Sequence, residues 1–186
     1  MGFEKSRMLS GELYDPLDPQ LSEERRQARL LCKGLNDSRD DQEEERARLV
    51  RELIPDAGEG TWIEPPFYCD YGGNITLGDK VFFNFNCVIL DVAPVRIGSR
   101  VLCGPGVQIY AAMHPLSAEV RSTGHELGRP VVIGDDVWIG GGSVVCPGVT
   151  IGSRSVIGAG SVVVQDIPEG VVAVGNPCRP VRKIEE

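Results

Sequence analysis

Each thing this chain lacks removes a class of function. It carries two histidines, His114 and His125, and a zinc site built on three histidines needs one more. Its six cysteines are Cys32, Cys69, Cys87, Cys103, Cys146 and Cys178, and no CxxC metal or redox pair occurs among them. Cys87 and Cys103 are expected to be buried, reduced thiols. Aromatic residues make up only 6%, which suits a thin aliphatic core. Basic residues are scarce, 19 against 27 acidic ones, for a net charge of −8. That excludes a general nucleic-acid binder, which needs a basic surface, yet leaves room for a small anion on a local basic cluster. No apolar run has the length of a membrane span, and the first residues are charged. The expectation is a cytoplasmic protein with no membrane partner. P-loop, GxGxxG, GxSxG and HExxH patterns are missing.

What the chain has in plenty is glycine, 23 residues, much of it in step with a period of six. Ile133, Ile139, Val145, Ile151, Ile157 and Val163 mark the period, and Gly134, Gly140, Gly152 and Gly158 follow four of them. Small or β-branched residues stand four places on: Val137, Ser143, Val149, Ser155 and Ser161. A sixfold period fits neither a helix nor an alternating strand. It is the hexapeptide repeat of a parallel β-helix, with the aliphatic residue inward and glycine relieving the corner. The frame also runs through Leu77, Phe83 and Ile89, slips, and continues through Ile97, Cys103 and Ile109. Three hexads make one triangular coil, giving about four regular coils after an irregular stretch at 61–75.

Residues 1–57 read differently. Leu21, Ala28, Leu31 and Leu35 fall on one face of a charged segment, and Leu49, Val50, Leu53 and Ile54 form a second stripe stopped by Pro55. Two short amphipathic helices are expected, capping one end of the solenoid. The second segment, 58–186, holds the β-helix, with an inserted loop at 111–130 and a charged tail. That insertion has no evident secondary structure of its own, and such loops are more often functional than idle. It contains both histidines.

His114, restrained by Pro115, is a natural general base near neutral pH. Asn84 and Asn86 interrupt the otherwise apolar stretch 82–90, and such an amide offers a donor for an oxyanion; a corner residue bonding its own backbone is the equal alternative. Asp70 and Asp91 are either hydroxyl ligands or turn acids, and Glu126 either orients a histidine or is solvated. Arg179, Arg182 and Lys183 form an acid-free cluster suited to phosphates, or else a solvated tail.

Several stretches then combine: Gly11-Glu12-Leu13-Tyr14, Cys69-Asp70-Tyr71-Gly72, Phe83-Asn84-Phe85-Asn86-Cys87, His114-Pro115 with Arg121, Trp138-Ile139-Gly140, and Gly175-Asn176-Pro177 before Arg179. Together they resemble the maltose/galactoside O-acetyltransferase family of hexapeptide-repeat sugar acetyltransferases, along nearly the whole chain. Leu90-Asp91-Val92-Ala93-Pro94 leans toward the maltose branch, with Val92 where the galactoside branch has a second acid. The resemblance implies a mainly β fold, a left-handed parallel β-helix with a short α-helical N-terminus, and a homotrimer with active sites between subunits. It implies acetyl-CoA as co-substrate, no metal, and direct attack by a sugar hydroxyl with His114 as base and Asn84 stabilising the transition state. Asp15, Arg25, Asp70, Phe82 and Asp91 would line the acceptor site. Trp138, Gly141, Ala159, Val164, Gln165, Arg179 and Arg182 would contact CoA, with Val164-Gln165 replacing the family's usual Thr-Lys.

Alternatives differ in class. A galactoside or antibiotic O-acetyltransferase would keep the chemistry and change the acceptor. A γ-type carbonic anhydrase would need the missing histidine ligand. A non-enzymatic β-solenoid binding protein would show one polar residue repeated along a face, whereas these corners vary and an insertion breaks one of them.

Overall fold

The structure, a computed structural model, describes residues 2–185. Met1 and Glu186, where the two expected segments begin and end, lie outside the described residues. The sixfold frame folds as read: its twelve apolar positions are all buried. Each supplies the inward residue of a short strand, and stacked parallel strands make a β-solenoid of about six turns. One face stacks Asp56–Ala57, Ile75–Leu77, Val95–Ile97, Val131–Ile133 and Thr150–Ile151. A second stacks Phe67–Cys69, Cys87–Leu90, Gln108–Tyr110, Val144–Val145 and Val162–Val163. The third runs from Trp62–Ile63 through Phe82–Phe83, Leu102–Cys103, Trp138–Ile139 and Val156–Ile157 to Val171–Val174, and ends on Arg179–Lys183. Register keeps like on like, with Phe83 opposite Cys103, Cys103 opposite Ile139, and Ile139 opposite Ile157. Cys87 and Cys103 are buried free thiols, as expected.

Two expectations need correction. Residues 61–75 are not irregular throughout: Trp62 pairs with Phe82 and Phe67 with Cys87, so with Asp56–Ala57 this stretch completes a first coil. Its prolines hid the period, because Pro65 and Pro66 occupy a corner and leave the strands intact. Nor do Arg182 and Lys183 lie in a tail. Residues Arg179–Lys183 turn back antiparallel on Val171–Val174, so basic residues occupy the solenoid's last strand.

The frame glycines have a different job from the one expected. Gly134 has no positive φ; the left-handed residue of that corner is Asp136, as it is Lys80, Arg100 and Arg154 in the equivalent corners. A Cβ on Gly134 would sit 2.4 Å from Ser153 Oγ and 2.6 Å from Ser153 N. The glycine therefore makes room for the next coil, whose side chain seals the corner. Ser153 Oγ accepts the Asp135 N–H at 3.1 Å, and Asp135 Oδ1 accepts the Ser99 N–H at 2.7 Å. The small residues four places on are buried too, and their hydroxyls are satisfied: Ser143 and Ser161 both donate to the Gly158 carbonyl.

The N-terminal segment forms three helices: α1 (Phe3–Ser10), α2 (Pro19–Asn36) and α3 (Glu43–Leu53). Only the last two were legible as amphipathic stripes. Asp18 caps α2, its Oδ1 accepting the N–H groups of Gln20 and Leu21 at 2.9 and 3.1 Å, with Pro19 in the first turn. Ala28, Cys32 and Leu35 of α2 and Leu49, Val50 and Leu53 of α3 join the solenoid core at its first coil. Fully burying one such leucine contributes about 1.5–3 kcal/mol, which holds α3, at 11 residues too short to persist alone, against α2 and the solenoid.

The insertion at 111–130 has structure of its own, contrary to expectation. Ala112–Met113 pairs antiparallel with Leu127–Gly128, and a short helix, α4 (Ala118–Arg121), caps the excursion. Tyr14 and Glu126 exchange backbone hydrogen bonds at 3.0 and 3.1 Å, so the N-terminal segment lies along this ribbon. Tyr14, Met8 and Leu21 then form a second, smaller core with Tyr71 and Val92.

Candidate active site

Two concavities carry the predicted residues. The larger, about 1110 Å³, runs down the third face along the corners that follow its inward residues. Gly104, Gly140 and Gly158 stand at these corners, in register. The backbone must be bare here: a Cβ on Gly140 would lie 2.5 Å from Ala159 N. The result is a trough walled by main chain, flanked by Pro105, the exposed Trp138, Gly141 and Ala159. The returning last strand sets Arg182 and Lys183 at one end. Asn84 stands at the other, at the corner position that the following coils give to glycine. Its Oδ1 accepts the Phe85 N–H at 2.8 Å. The backbone-bonding alternative is thus real, but it uses only the carbonyl oxygen and turns the amide NH2 into the remaining donor.

The smaller concavity, about 330 Å³, is assembled from segments far apart in sequence. Arg25 and Arg29 come from one face of α2, Asp70 and Tyr71 from the end of the Phe67–Cys69 strand, and His114 and Glu126 from the insertion. Val92 adds an apolar wall. Arg25 is fixed from two sides, donating to Tyr71 Oη at 2.7 Å and to the Pro16 carbonyl, and its guanidinium lies 5.7 Å from the Tyr71 ring centre. Tyr14 donates to Glu126 Oε2 at 2.8 Å, so the observed partner of Glu126 is a tyrosine. Burial pushes the Asp70 carboxyl up to about 6, helped by the charges of Asp91 and Glu126 and opposed by Arg25 and Arg29. Burial likewise pushes the Tyr71 hydroxyl up to about 12, against the pull of Arg25.

The remaining candidates lie elsewhere. Asp15 is exposed and bonds the Leu17 N–H at 2.8 Å. Phe82 sits half-buried on the outer side of the third face. Val164 and Gln165 are exposed beyond the Val162–Val163 strand. Arg179 donates to the Cys178 carbonyl at 2.7 Å, outside the trough that Arg182 and Lys183 line. Asp91 is fully buried and accepts backbone N–H groups, as the turn-acid alternative for it requires. Asn84 and His114 line different concavities within one chain. Sequence reasoning passed over Arg29 and Tyr71 as site residues. The available signals were Arg29 one helical turn after Arg25, and Tyr71 inside the Cys69–Gly72 motif.

Residues 7–58 match the maltose acetyltransferase hexapeptide capping motif, and residues 130–165 the bacterial transferase hexapeptide, six repeats. A putative acetyltransferase of Saccharomyces cerevisiae is 49% identical, over 96% of this chain and 92% of its own. The crystal structure of a maltose O-acetyltransferase from Clostridium difficile 630 superposes with a TM-score of 0.97 at 48% identity, covering 98% of both chains. The chain belongs to the maltose/galactoside O-acetyltransferase family. A solved galactoside acetyltransferase in complex with coenzyme A is a third relative, with a TM-score of 0.95, 41% identity and coverage of 100% of this chain and 92% of that one. Two further features bear on the family's chemistry. Among the described residues no group of three or more His, Cys, Asp or Glu could hold a metal ion. No described helix is long and apolar enough to cross a membrane.

Proposed function

We propose that this chain transfers an acetyl group from acetyl-CoA to a hydroxyl of a sugar of maltose or glucose type. The observation that carries this reading is the glycine-walled trough, with cationic Arg182 and Lys183 at one end and the Asn84 amide at the other. A long thioester fits such a trough with phosphates on the cations and its reacting end at Asn84. The CoA complex of the galactoside relative supports the same donor. His114 takes the proton of the acceptor hydroxyl as its oxygen attacks the thioester carbonyl carbon. The Asn84 amide donates to the tetrahedral oxyanion, the C–S bond breaks, and the imidazolium proton passes to the departing sulfur. No acyl-enzyme forms, and binding both substrates side by side lowers the barrier by orientation.

Asn84 and His114 occupy separate concavities of one chain, so the reaction needs a second copy to bring them together. A homotrimer with sites between subunits meets that need. Asp70 and the Tyr71-supported Arg25 are the acceptor ligands, and apolar Val92 favours maltose or glucose over galactosides. The reading places the protein where acetyl-CoA is abundant, in the cytoplasm.

The test is acetyl-CoA consumption with maltose, glucose and galactosides side by side. The highest kcat/KM should fall on maltose or glucose. A preference for galactosides overturns the acceptor assignment, and no consumption with any sugar overturns the reaction. Native mass spectrometry should give a mass three times that of the chain; a monomer overturns the shared site.

A further inference from the structure

Asp91 lies behind the acceptor-side cavity with no exposed surface, and its side chain reaches toward the wall of that cavity. Oδ1 accepts the N–H groups of Asp70 and Tyr71, both at 2.9 Å. Its own carbonyl accepts Asn74 Nδ2–H at 2.7 Å. These three bonds fasten the bend at 70–74, where Gly72 adopts a φ of +73°. The bend presents Asp70 and Tyr71 to the cavity, and Tyr71 in turn holds Arg25. Oδ2 finds no hydrogen-bond partner among the described residues. The carboxyl thus spends one oxygen on two consecutive amides and has no surface with which to meet a sugar.

We propose that Asp91 is a positioning residue of the acceptor site, which sets the Asp70 carboxylate and the Tyr71–Arg25 pair by clamping their backbone and does not contact the acceptor. The proposal rests on the reading of this cavity as the acceptor site. Removing the carboxyl would orphan two buried donors, and the bend would relax to satisfy them. The thioester trough lies on another face and shares no residue with this bend.

The experiment measures KM for maltose, KM for acetyl-CoA and kcat in Asp91→Ala, Asp91→Asn and Asp70→Ala. Asp91→Ala should raise the maltose KM about tenfold, the effect of losing roughly one well-made hydrogen bond to the acceptor, while the acetyl-CoA KM stays within about twofold of wild type. Asp91→Asn keeps an oxygen at the Oδ1 position and should return the maltose KM to within about threefold. Equal changes in both KM values, or a maltose KM as high in Asp91→Asn as in Asp91→Ala, overturn the proposal. Should Asp91→Ala fail to fold, Asp91→Ser, too short to hold both amides, should show the same maltose-selective rise; its absence overturns the proposal too. Asp70→Ala separates the two levels. A raised maltose KM there with no effect at Asp91 sinks only the clamp, whereas an unchanged maltose KM in Asp70→Ala removes the acceptor-site reading and the clamp with it.

Discussion

The trough takes its glycines from one position of the repeat, coil after coil, whereas the small cavity joins stacked corner residues of the second face to α2 and the ribbon of the insertion. Backbone and glycine build the trough, so its shape follows from the requirement that one coil seat on the next. The cavity depends on α2, the bend at 70–74, the strand end near Val92 and the ribbon of the insertion arriving together. The difference fits the proposed division of labour, with a long, generic surface for the donor and a small, charged, locally assembled one for the acceptor. Burial also shifts ionisable groups in the cavity, as at Asp70 and Tyr71.

Replacing one side at a time should break this pairing in opposite ways. The largest effect should come from His114→Ala, with kcat falling roughly a hundredfold or more. His114 is exposed, so the melting temperature should hold; near wild-type turnover would remove it as the base. Next, Arg182→Ala at the trough should raise the acetyl-CoA KM about tenfold, as expected for one lost charge-assisted phosphate contact, and leave the acceptor KM unchanged.

Asp70→Asn, on the cavity side, should do the reverse: acceptor KM up about fivefold, for one weakened hydrogen bond, with acetyl-CoA KM unmoved. Its stability effect has a defined sign. The folded carboxyl holds its proton up to about 6, above its ordinary value of 3.8. Between those values the folded state binds more protons than the unfolded one, so this residue's contribution to stability declines as pH rises through that window. Asp70→Asn removes the penalty and should raise the Tm at pH 7 by about 2–4 °C, the response of a chain this size to about 1 kcal/mol. In the wild type, acceptor KM should climb as pH falls through about 6, and Asp70→Asn should flatten that limb. The smallest effect should be Arg179→Ala. Its guanidinium bonds a neighbouring carbonyl outside the trough, so the acetyl-CoA KM should move less than about twofold; a change as large as that of Arg182→Ala would place the phosphates further along the last strand.

Legibility in the sequence followed the same division. The period of six exposes the solenoid because every coil imposes one steric demand at one position. Asn84 is visible because it interrupts an otherwise apolar stretch; the structure adds that it stands where the later coils of the third face carry Gly104, Gly140 and Gly158. His114 is visible through the break in the frame. The first coil was missed because Pro65 and Pro66 sit where the period is read, although its register with the second coil is intact. The last strand was missed because an antiparallel return carries no hexad.

From sequence alone came the parallel β-helix, the capping helices α2 and α3, the separate insertion, the amide and imidazole candidates, and the family. These are periodic or motif-bound features, each written in a short window of residues. Tertiary structure decided which candidates share a concavity. It put Arg182 rather than Arg179 in the trough, joined Arg29 and Tyr71 to Asp70, and buried Asp91 behind them. Such outcomes depend on the direction and burial of single side chains across segments far apart in sequence, and packing between those segments sets both.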